Sequence, residues 1–516
     1  MDHQAHQPAH PYARVVPESS RDRAYDYAVP EALRGRVGVG MRVRMPLRNA
    51  EVSGIVIEML PRSEFAKVRA LVDVAGSEPV VPPPLFALAR WMSEYYCSPL
   101  ALALRSILPE PVRADAGALV RLWVAPREGV TEEDVLGAIG GRAKKQIEAW
   151  RILTARGGGA WFGDLCSETG IGRAVWQGLR DRGFVTIENA EKDRDPFLNL
   201  PDPVGAEHEP NDAQRAALAA IAEEGAKARA GERAKPVLLH GVTGSGKTEV
   251  YMRAIAAVLD AGKSALMIVP EIALTPQAVE RFRARFLGRK VRVAVLHSGL
   301  SRGERFDQWR QIREGRARIV IGARSAVFAP APDLGLVVVD EEHEGSYKQE
   351  EAPYYHGRDL AVMRAHLEKI PIVLGSATPS LESFHNAQTE KYRLVRLPAR
   401  VASRPMPTVH VIDLRMKGKP QEGEAPAATA ISPRLREAVE KRLERKEQVM
   451  LYLNRRGHST TLQCPECGHV EMCPHCSITL TYHRSDSRLR CHLCDHVAPV
   501  PSRCPECASP GYRYGG

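Results

Sequence analysis

From Lys235 onward, apolar residues gather into short continuous runs separated by longer amphipathic stretches. PVLLH, ALMIVP, RVAVLH, RIVIGA, LGLVVVD and PIVLGS are too short for helices and lack the alternation of a half-exposed strand, so they predict buried strands. VYMRAIAAVLDAG and QAVERFRARFLG, lying between them, repeat apolar residues at the helical period. Such alternation predicts a parallel sheet covered by helices on both faces. Ligands of these sheets bind beyond the carboxyl ends of the strands, so chemistry is expected in the residues that follow each run. AISPRLREAVEKRLERKEQVMLYLNRRGH repeats the scheme once more, as a helix and a strand opening a second lobe.

The first part of the chain is built differently. From Pro11 to about Arg113, short alternations such as RVRMPLRN and SGIVIEML predict a small β-rich unit, followed by the helix LFALARWMSEYYCSP. Between Gly137 and Glu188, KKQIEAWRIL, WFGDLCSET and GRAVWQGLRDRGFVTI predict three helices ending in a strand. That order suits a winged helix or, equally, a small helical linker domain. DRDPFLNLPDPVGAEHEPND reads as a linker. The expected domains are 1–115 (β-rich), 116–195 (winged-helix-like), 196–210 (linker), 211–400 (first lobe), 401–463 (start of a second lobe), 464–507 (Cys-rich) and 508–516 (end). The fold class is therefore multidomain α/β, with a P-loop lobe after a β-rich domain and a winged helix and before a partial second lobe carrying a Cys-rich insertion.

Composition narrows the setting. Of 516 residues, 44% are apolar and 26% charged, as in an ordinary soluble protein, and the net charge of +10 suits a polyanionic partner. No apolar run reaches the roughly 18 residues of a membrane span, and MDHQAHQPAHPY lacks the build of a signal peptide, so a cytoplasmic protein is expected. Cys97 and Cys166 stand alone in helical contexts, where buried free thiols are expected.

LLHGVTGSGKTEV carries the G-x-x-x-x-G-K-[ST] pattern after a strand and before a helix. Gly241, Val242, Thr243, Gly244, Ser245 and Gly246 are expected to close their backbone N–H groups around phosphate oxygens. Lys247 would reach the β- and γ-phosphates of ATP, and Thr248 would offer its hydroxyl to Mg²⁺. Asp340 ends the run LGLVVVD, the place from which such enzymes hold Mg²⁺, and Glu341 is placed to orient and deprotonate the attacking water. Glu342 and Glu344 read equally as a solvated helix start, and His343 either relays the γ-phosphate state or packs. Tyr347, Lys348, Tyr354, Tyr355, His356 and Arg358 then interleave aromatic and basic groups, a combination suited to gripping single strands or to packing a core loop.

The remaining eight cysteines form four C-x-x-C pairs, 464/467, 473/476, 491/494 and 504/507. Two pairs complete one tetrahedral Cys₄ zinc site, so two structural zinc ions are expected. Five residues separate the first two pairs and fourteen the second and third, closer to a zinc ribbon. A nested arrangement follows, with Cys473, Cys476, Cys491 and Cys494 on one ion and Cys464, Cys467, Cys504 and Cys507 on the other.

GVTGSGKTEVY, PEIALTPQ, VLHSGLSRGER, IVIGARSAVFAP, VVVDEEHEGSYKQEE, GSATPSLES and LNRRGH occur in this order and resemble the motifs of the PriA family of primosomal replication-restart helicases, in helicase superfamily 2. YDYAVP, VGMRVRMPLRN and WMSEYYCSPLALALRSILPEPVR resemble its N-terminal domain, which holds the 3′ end of a nascent strand. The resemblance implies that Tyr25 and Asp26 face the terminal nucleotide, that Gln214 in NDAQRAAL reads adenine, and that Arg324 in ARSA contacts the strand. It implies that GSAT, including Ser376 and Thr378, links hydrolysis to DNA movement, and it supports the nested zinc pairing. It further implies 3′ to 5′ unwinding, nucleoid association, and partnership with forked and single-stranded DNA, single-strand-binding protein, primosome components and the machinery that loads the replicative helicase, with no membrane. In the family the second lobe resumes after the cysteines and supplies an arginine finger. The sequence given ends at CASPGYRYGG, so slow hydrolysis and poor unwinding are expected of it. A non-motor fork-binding scaffold and another superfamily 2 translocase are the competing readings.

Overall fold

The computed structural model describes residues 11–18, 22–114, 119–140, 143–192, 194, 209–271, 276–286, 291–401, 408–412, 431–452, 461–475, 478–483, 487–491, 494 and 496–515. The chain divides into two compact units, Met1–Pro405 and Met406–Gly516.

The first unit opens with five antiparallel strands, β1 (Tyr12–Pro17), β2 (Tyr25–Ala28), β3 (Arg42–Leu47), β4 (Ala50–Leu60) and β5 (Asp73–Ala75), in the order β2-β1-β4-β3-β5. Alternation along the strands sends Ala13, Val15, Val43, Met45 and Val56 to one core. Val16 and Ile55 face the other way, into the core shared by the helices Pro83–Tyr95 and Leu100–Ile107 and the following lobe. Cys97 follows the first of these helices at φ 48° and is exposed, because the chain turns outward there; the expectation of a buried thiol is corrected.

The helices Lys144–Ala155, Phe162–Thr169 and Arg173–Asp181 lie where the pattern placed them. They pack around Trp150, Leu165, Trp176 and Leu179, against a sheet of β6 (Leu119–Pro126), β7 (Ala160–Trp161) and β8 (Val185–Lys192). With the helix Glu132–Ile139 ahead of them, they share one core with this sheet, so the segment is not purely helical. The long pairing of β6 with β8 brings in a strand from ahead of the helices.

Seven parallel strands follow: β9 (Val237–Gly241), β10 (Ser264–Ile268), β11 (Arg292–Leu296), β12 (Ala317–Gly322), β13 (Leu334–Val339), β14 (Ile372–Ser376) and β15 (Arg393–Leu397). Their order is β11-β12-β10-β13-β14-β9-β15. Leu238, Leu266, Ile268, Val337, Val339 and Leu374 face one core, and Val237, Leu239, Ala265, Met267, Leu336 and Val338 the other. Both faces are buried, which is why the runs are apolar throughout. β9 and β13 flank β14, so the residues after these three strands converge on one edge of the sheet.

In the second unit the helix Pro433–Glu444 starts at Ser432, whose hydroxyl accepts from the Leu435 N–H at 3.1 Å. The strand expected after it is absent over 447–452, where Met450, Leu451 and Tyr452 are exposed. A buried parallel strand needs neighbours to bond with, and among the described residues of this unit there are none for it. LNRRGH lies outside the described residues, as does part of PEIALTPQ. Among the described residues, no helix is long and apolar enough to cross a membrane.

Candidate active site

β9 runs into the phosphate-binding turn, and the helix Lys247–Asp260 leaves it. Gly244 and Gly246 adopt φ 79° and 85°, the left-handed region that only glycine enters cheaply. A Cβ on Gly246 would also stand 2.3 Å from Gln214 Nε2. Gln214 itself is buried; its Oε1 accepts from the Asn211 N–H at 3.0 Å, and its Nε2 donates to the Ser245 carbonyl at 3.3 Å. This glutamine therefore touches the back of the turn. Lys247 Nζ donates to the Gly241 carbonyl at 2.9 Å across the loop, and the buried Ser245 hydroxyl has no hydrogen-bond partner among the described residues. An inward lysine, an unpaired hydroxyl and a glycine cradle at a helix N-terminus are what a polyphosphate would complete.

Asp340 follows β13, and its carboxylate accepts from the Tyr251 hydroxyl at 3.0 Å. Tyr251 lies one turn beyond Lys247 on the same helix, fully buried, so the helix that leaves the turn is bonded to the acid. Burial, then the neighbouring Glu341 carboxylate, hold the Asp340 carboxyl above its usual range, while burial and Asp340 push the Tyr251 phenol well up. A cation here would relieve that repulsion, so the acids fit Mg²⁺. Gly375 accommodates the tyrosine: a Cβ there would lie 1.6 Å from its hydroxyl oxygen.

Beyond Asp340 the acids divide. Glu341 sits at φ 43° with Oε2 3.6 Å from His343 Nδ1. His343 Nδ1 lies 2.8 Å from Ser376 Oγ and its Nε2 3.5 Å from Thr378 Oγ1, while Ser376 Oγ accepts from the Thr378 N–H at 2.9 Å. The structure thus brings His343, Ser376 and Thr378 into one polar chain beside Glu341. Glu344 does cap a short turn, accepting from the Ser346 N–H at 3.3 Å. Glu342 does not: it is fully buried, accepting from the Ser380 N–H at 2.7 Å, the Ser380 and Ser383 hydroxyls at 3.0 and 2.7 Å, and Arg358 Nη1 at 3.1 Å. The reading as a solvated acid is corrected, because this carboxylate ties the turn after β13 to the helix Leu381–Gln388. Glu342→Ala is expected to cost about 3 kcal/mol of stability by leaving Arg358 and two hydroxyls short of an acceptor. Chemical denaturation checks this, and Glu342→Gln should lose less.

The loop expected to stack on bases is largely interior. Tyr347 and Tyr355 are 1% and 4% exposed. The Tyr347 hydroxyl donates to the Asp340 carbonyl at 2.6 Å, and Tyr355 packs edge-on to Phe328 with ring centroids 5.3 Å apart. Arg358 is consumed by Glu342 and Asp359. A contact of these three with DNA is therefore corrected to a packing role, since their surfaces are already covered. Arg324 donates to the Ser346 and Lys348 carbonyls, at 3.1 and 2.5 Å, and so fixes the loop. Lys348 and Tyr354 stay exposed, and His356 is half-buried. Glu271, His297, Arg324 and Lys348 line a cleft of about 830 Å³ beyond β10, β11 and β12. In the N-terminal sheet Tyr25 is half-buried, whereas the Asp26 carboxylate is closed off by Arg14 Nε at 2.9 Å and the Ser63 hydroxyl at 2.8 Å. Asp26 is thus held by its own domain.

In the cysteine region the first residue of each pair donates its N–H to the carbonyl five residues on: Cys464 to His469, Cys473 to Ile478, Cys491 to His496 and Cys504 to Ser509, at 2.7–3.0 Å. The same backbone bond therefore recurs at all four pairs. Cys464, Cys467, Cys504 and Cys507 converge, as do Cys473, Cys491 and Cys494, while Cys476 lies outside the described residues. Sulfur–sulfur separations of 3.6 Å (464–507, 467–504 and 473–494) match the roughly 3.8 Å edge of a tetrahedron with Zn–S bonds of about 2.3 Å.

Residues 14–109 match the family described as 3′DNA-binding domain (3′BD), 211–387 the DEAD/DEAH box helicase family, and 473–499 the PriA DNA helicase Cys-rich region (CRR) domain. Over 575 residues the chain is 36% identical to the replication restart protein PriA of Bacillus subtilis, covering 98% of this chain and 70% of that protein. The chain belongs to the PriA family. The protein of the same name from Synechocystis is 34% identical over 603 residues, covering 100% of this chain and 70% of its own length. That of Treponema pallidum is 44% identical over 283 residues, covering 55% and 41%. PriA-family membership makes the lobe an ATP-dependent helicase lobe and the cysteine region a structural zinc site. Sequence reasoning missed Tyr251, Glu342 and the segment after β15 as parts of the site. Tyr251 was open to discovery, since four residues from Lys247 is one helical turn, on the face that meets the sheet.

Proposed function

We propose that the chain acts as an ATP-driven 3′ to 5′ DNA helicase that recognises abandoned replication forks and begins primosome assembly. The observation that carries this reading is the Tyr251–Asp340 hydrogen bond, which joins the helix leaving the phosphate turn to the residue after β13. The backbone of Gly241 to Thr248 and Lys247 would hold the triphosphate, with Gln214 beside the turn at the adenine end. Thr248 and Asp340 would hold Mg²⁺, whose charge stabilises the phosphoryl group in transfer. Glu341 would orient the attacking water, and His343 would pass the state of that site to Ser376 and Thr378. Tyr25, Arg324 and Lys348 are the DNA contacts that remain accessible to the reading. Cys464, Cys467, Cys504 and Cys507 would bind one zinc ion, and Cys473, Cys476, Cys491 and Cys494 the other. Family resemblance supports single-strand-binding protein, primosome components and the loading machinery of the replicative helicase as partners, at the nucleoid in the cytoplasm.

ATP turnover by the full chain with no DNA, with duplex and with a fork carrying a free 3′ end tests the reading. Stimulation greatest on the fork is expected. Turnover indifferent to DNA would count against it.

A further inference from the structure

We infer that Tyr251 is a positioning residue for Mg²⁺: its hydroxyl sets the direction of the Asp340 carboxylate that would receive the ion. This rests on the ATP and Mg²⁺ reading above and adds a residue that acts through Asp340 rather than on the nucleotide. The main chain of Asp340 is fixed at both of its polar groups. Its N–H donates to the Ile268 carbonyl at 2.9 Å, and its carbonyl accepts from the Tyr347 hydroxyl at 2.6 Å. What those two bonds leave free is rotation of the side chain. The Tyr251 hydroxyl restrains that rotation, donating to Asp340 Oδ1 at 3.0 Å. Tyr251 is fully buried, whereas Asp340 keeps partial exposure, so the phenol holds the acid from the interior of the lobe. Mg²⁺ tolerates little departure from octahedral geometry, so a carboxylate that is to serve it gains from being oriented in advance.

The packing around Tyr251 makes room for its oxygen and not only for its ring. The residue belongs to an apolar core that includes Ile255, Met267, Val338 and Val373. A phenylalanine would fill the same place with no buried hydroxyl to satisfy. The hydroxyl needs Gly375 opposite, because a Cβ on that residue would stand 1.6 Å from the oxygen. Gly375 lies within β14, between the fully buried Leu374 and Ser376, where a glycine weakens a strand by giving it nothing to pack. The lobe therefore tolerates a weaker interior strand in order to admit one oxygen, and that oxygen bonds Asp340. A side chain kept for packing alone has no use for this arrangement.

Equilibrium titration of the full chain with a fluorescent, non-hydrolysable ATP analogue, over a series of Mg²⁺ concentrations and in EDTA, tests the assignment. Tyr251→Phe should raise the Mg²⁺ concentration for half-maximal binding about 10–100-fold, while affinity in EDTA stays within about twofold of the unaltered chain. In an Asp340→Asn background the same change should add less than about twofold, because the carboxylate on which the phenol acts is gone. Should Tyr251→Phe fail to fold, as its denaturation curve would show, Gly375→Ala carries the same predictions, since its Cβ would displace the hydroxyl. An unchanged Mg²⁺ requirement in the variant would overturn the proposal. So would an equal loss of affinity with and without Mg²⁺, which would make Tyr251 packing behind the phosphate turn, or a full additional loss in the Asp340→Asn background. If binding by the unaltered chain is indifferent to Mg²⁺, the metal reading of Asp340 itself falls.

Discussion

Lys247→Ala is expected to remove nearly all ATP turnover, by about 10²–10³-fold, while single-strand binding and the fold stay as they are. The charge that would face the triphosphate comes from this one ammonium, which reaches across the loop to the Gly241 carbonyl. Among the described residues Arg400 also reaches the turn, donating to the Thr243 carbonyl at 3.1 Å. Removing the side chain leaves the glycine conformations and the Tyr251–Asp340 bond in place, so the loss should fall on turnover more than on stability. Phosphate release, read alongside a denaturation curve and oligo-dT binding, separates these effects. Turnover within tenfold of the unaltered chain would show that the lysine is not what meets the phosphates.

Zinc removal should have the largest structural effect. Among the described residues the core of the cysteine region is Leu462, Leu480 and Leu489 with the buried Cys473 and Cys491, lined by the partly buried Tyr482, Ala498, Val500 and Tyr512, too little apolar surface to fold so many residues unaided. Metal binding of this kind is worth about 10–16 kcal/mol, and here it substitutes for a core. A strong chelator is expected to unfold the region around residues 461–515 while the transition of the first unit stays where it was. Two zinc ions per chain are expected by elemental analysis, and Cys464→Ser should release one of them. A single ion per chain, or no change in structure on chelation, would refute the two-site arrangement.

How far the chain could be read in advance depended on whether one pattern served one structure. The six buried strands were legible because a parallel strand with both faces covered has no polar alternative. β15 was not, since RLVRL carries Arg393 and Arg396 in an edge strand and resembles a surface stretch. The four C-x-x-C pairs announced a metal-binding region, and the described cysteines gather in the two groups that loop length and family resemblance suggested. The loop after Asp340 was ambiguous for a physical reason: interleaved tyrosines and cations suit a nucleic-acid grip and a packed turn equally. Only the tertiary contacts of Phe328, Glu342 and Asp340 settle that Tyr347, Tyr355 and Arg358 face inward. Glu342 was obscured similarly, because its partners Ser380 and Ser383 lie almost forty residues away and no local spacing announces them.

The exit of the chain from the first lobe carries a mechanical consequence. After β15, the Leu397 carbonyl accepts from the Val242 N–H at 3.3 Å, and the Val401 N–H donates to the Gly244 carbonyl at 2.9 Å. With Arg400 on Thr243, three successive residues of the turn are stitched to the outgoing strand. A pull along the polypeptide beyond Val401 is thus borne by the rim of the phosphate cradle before it reaches the sheet. Conversely, a cradle stiffened by its occupant becomes a firmer anchor for Leu397 to Val401.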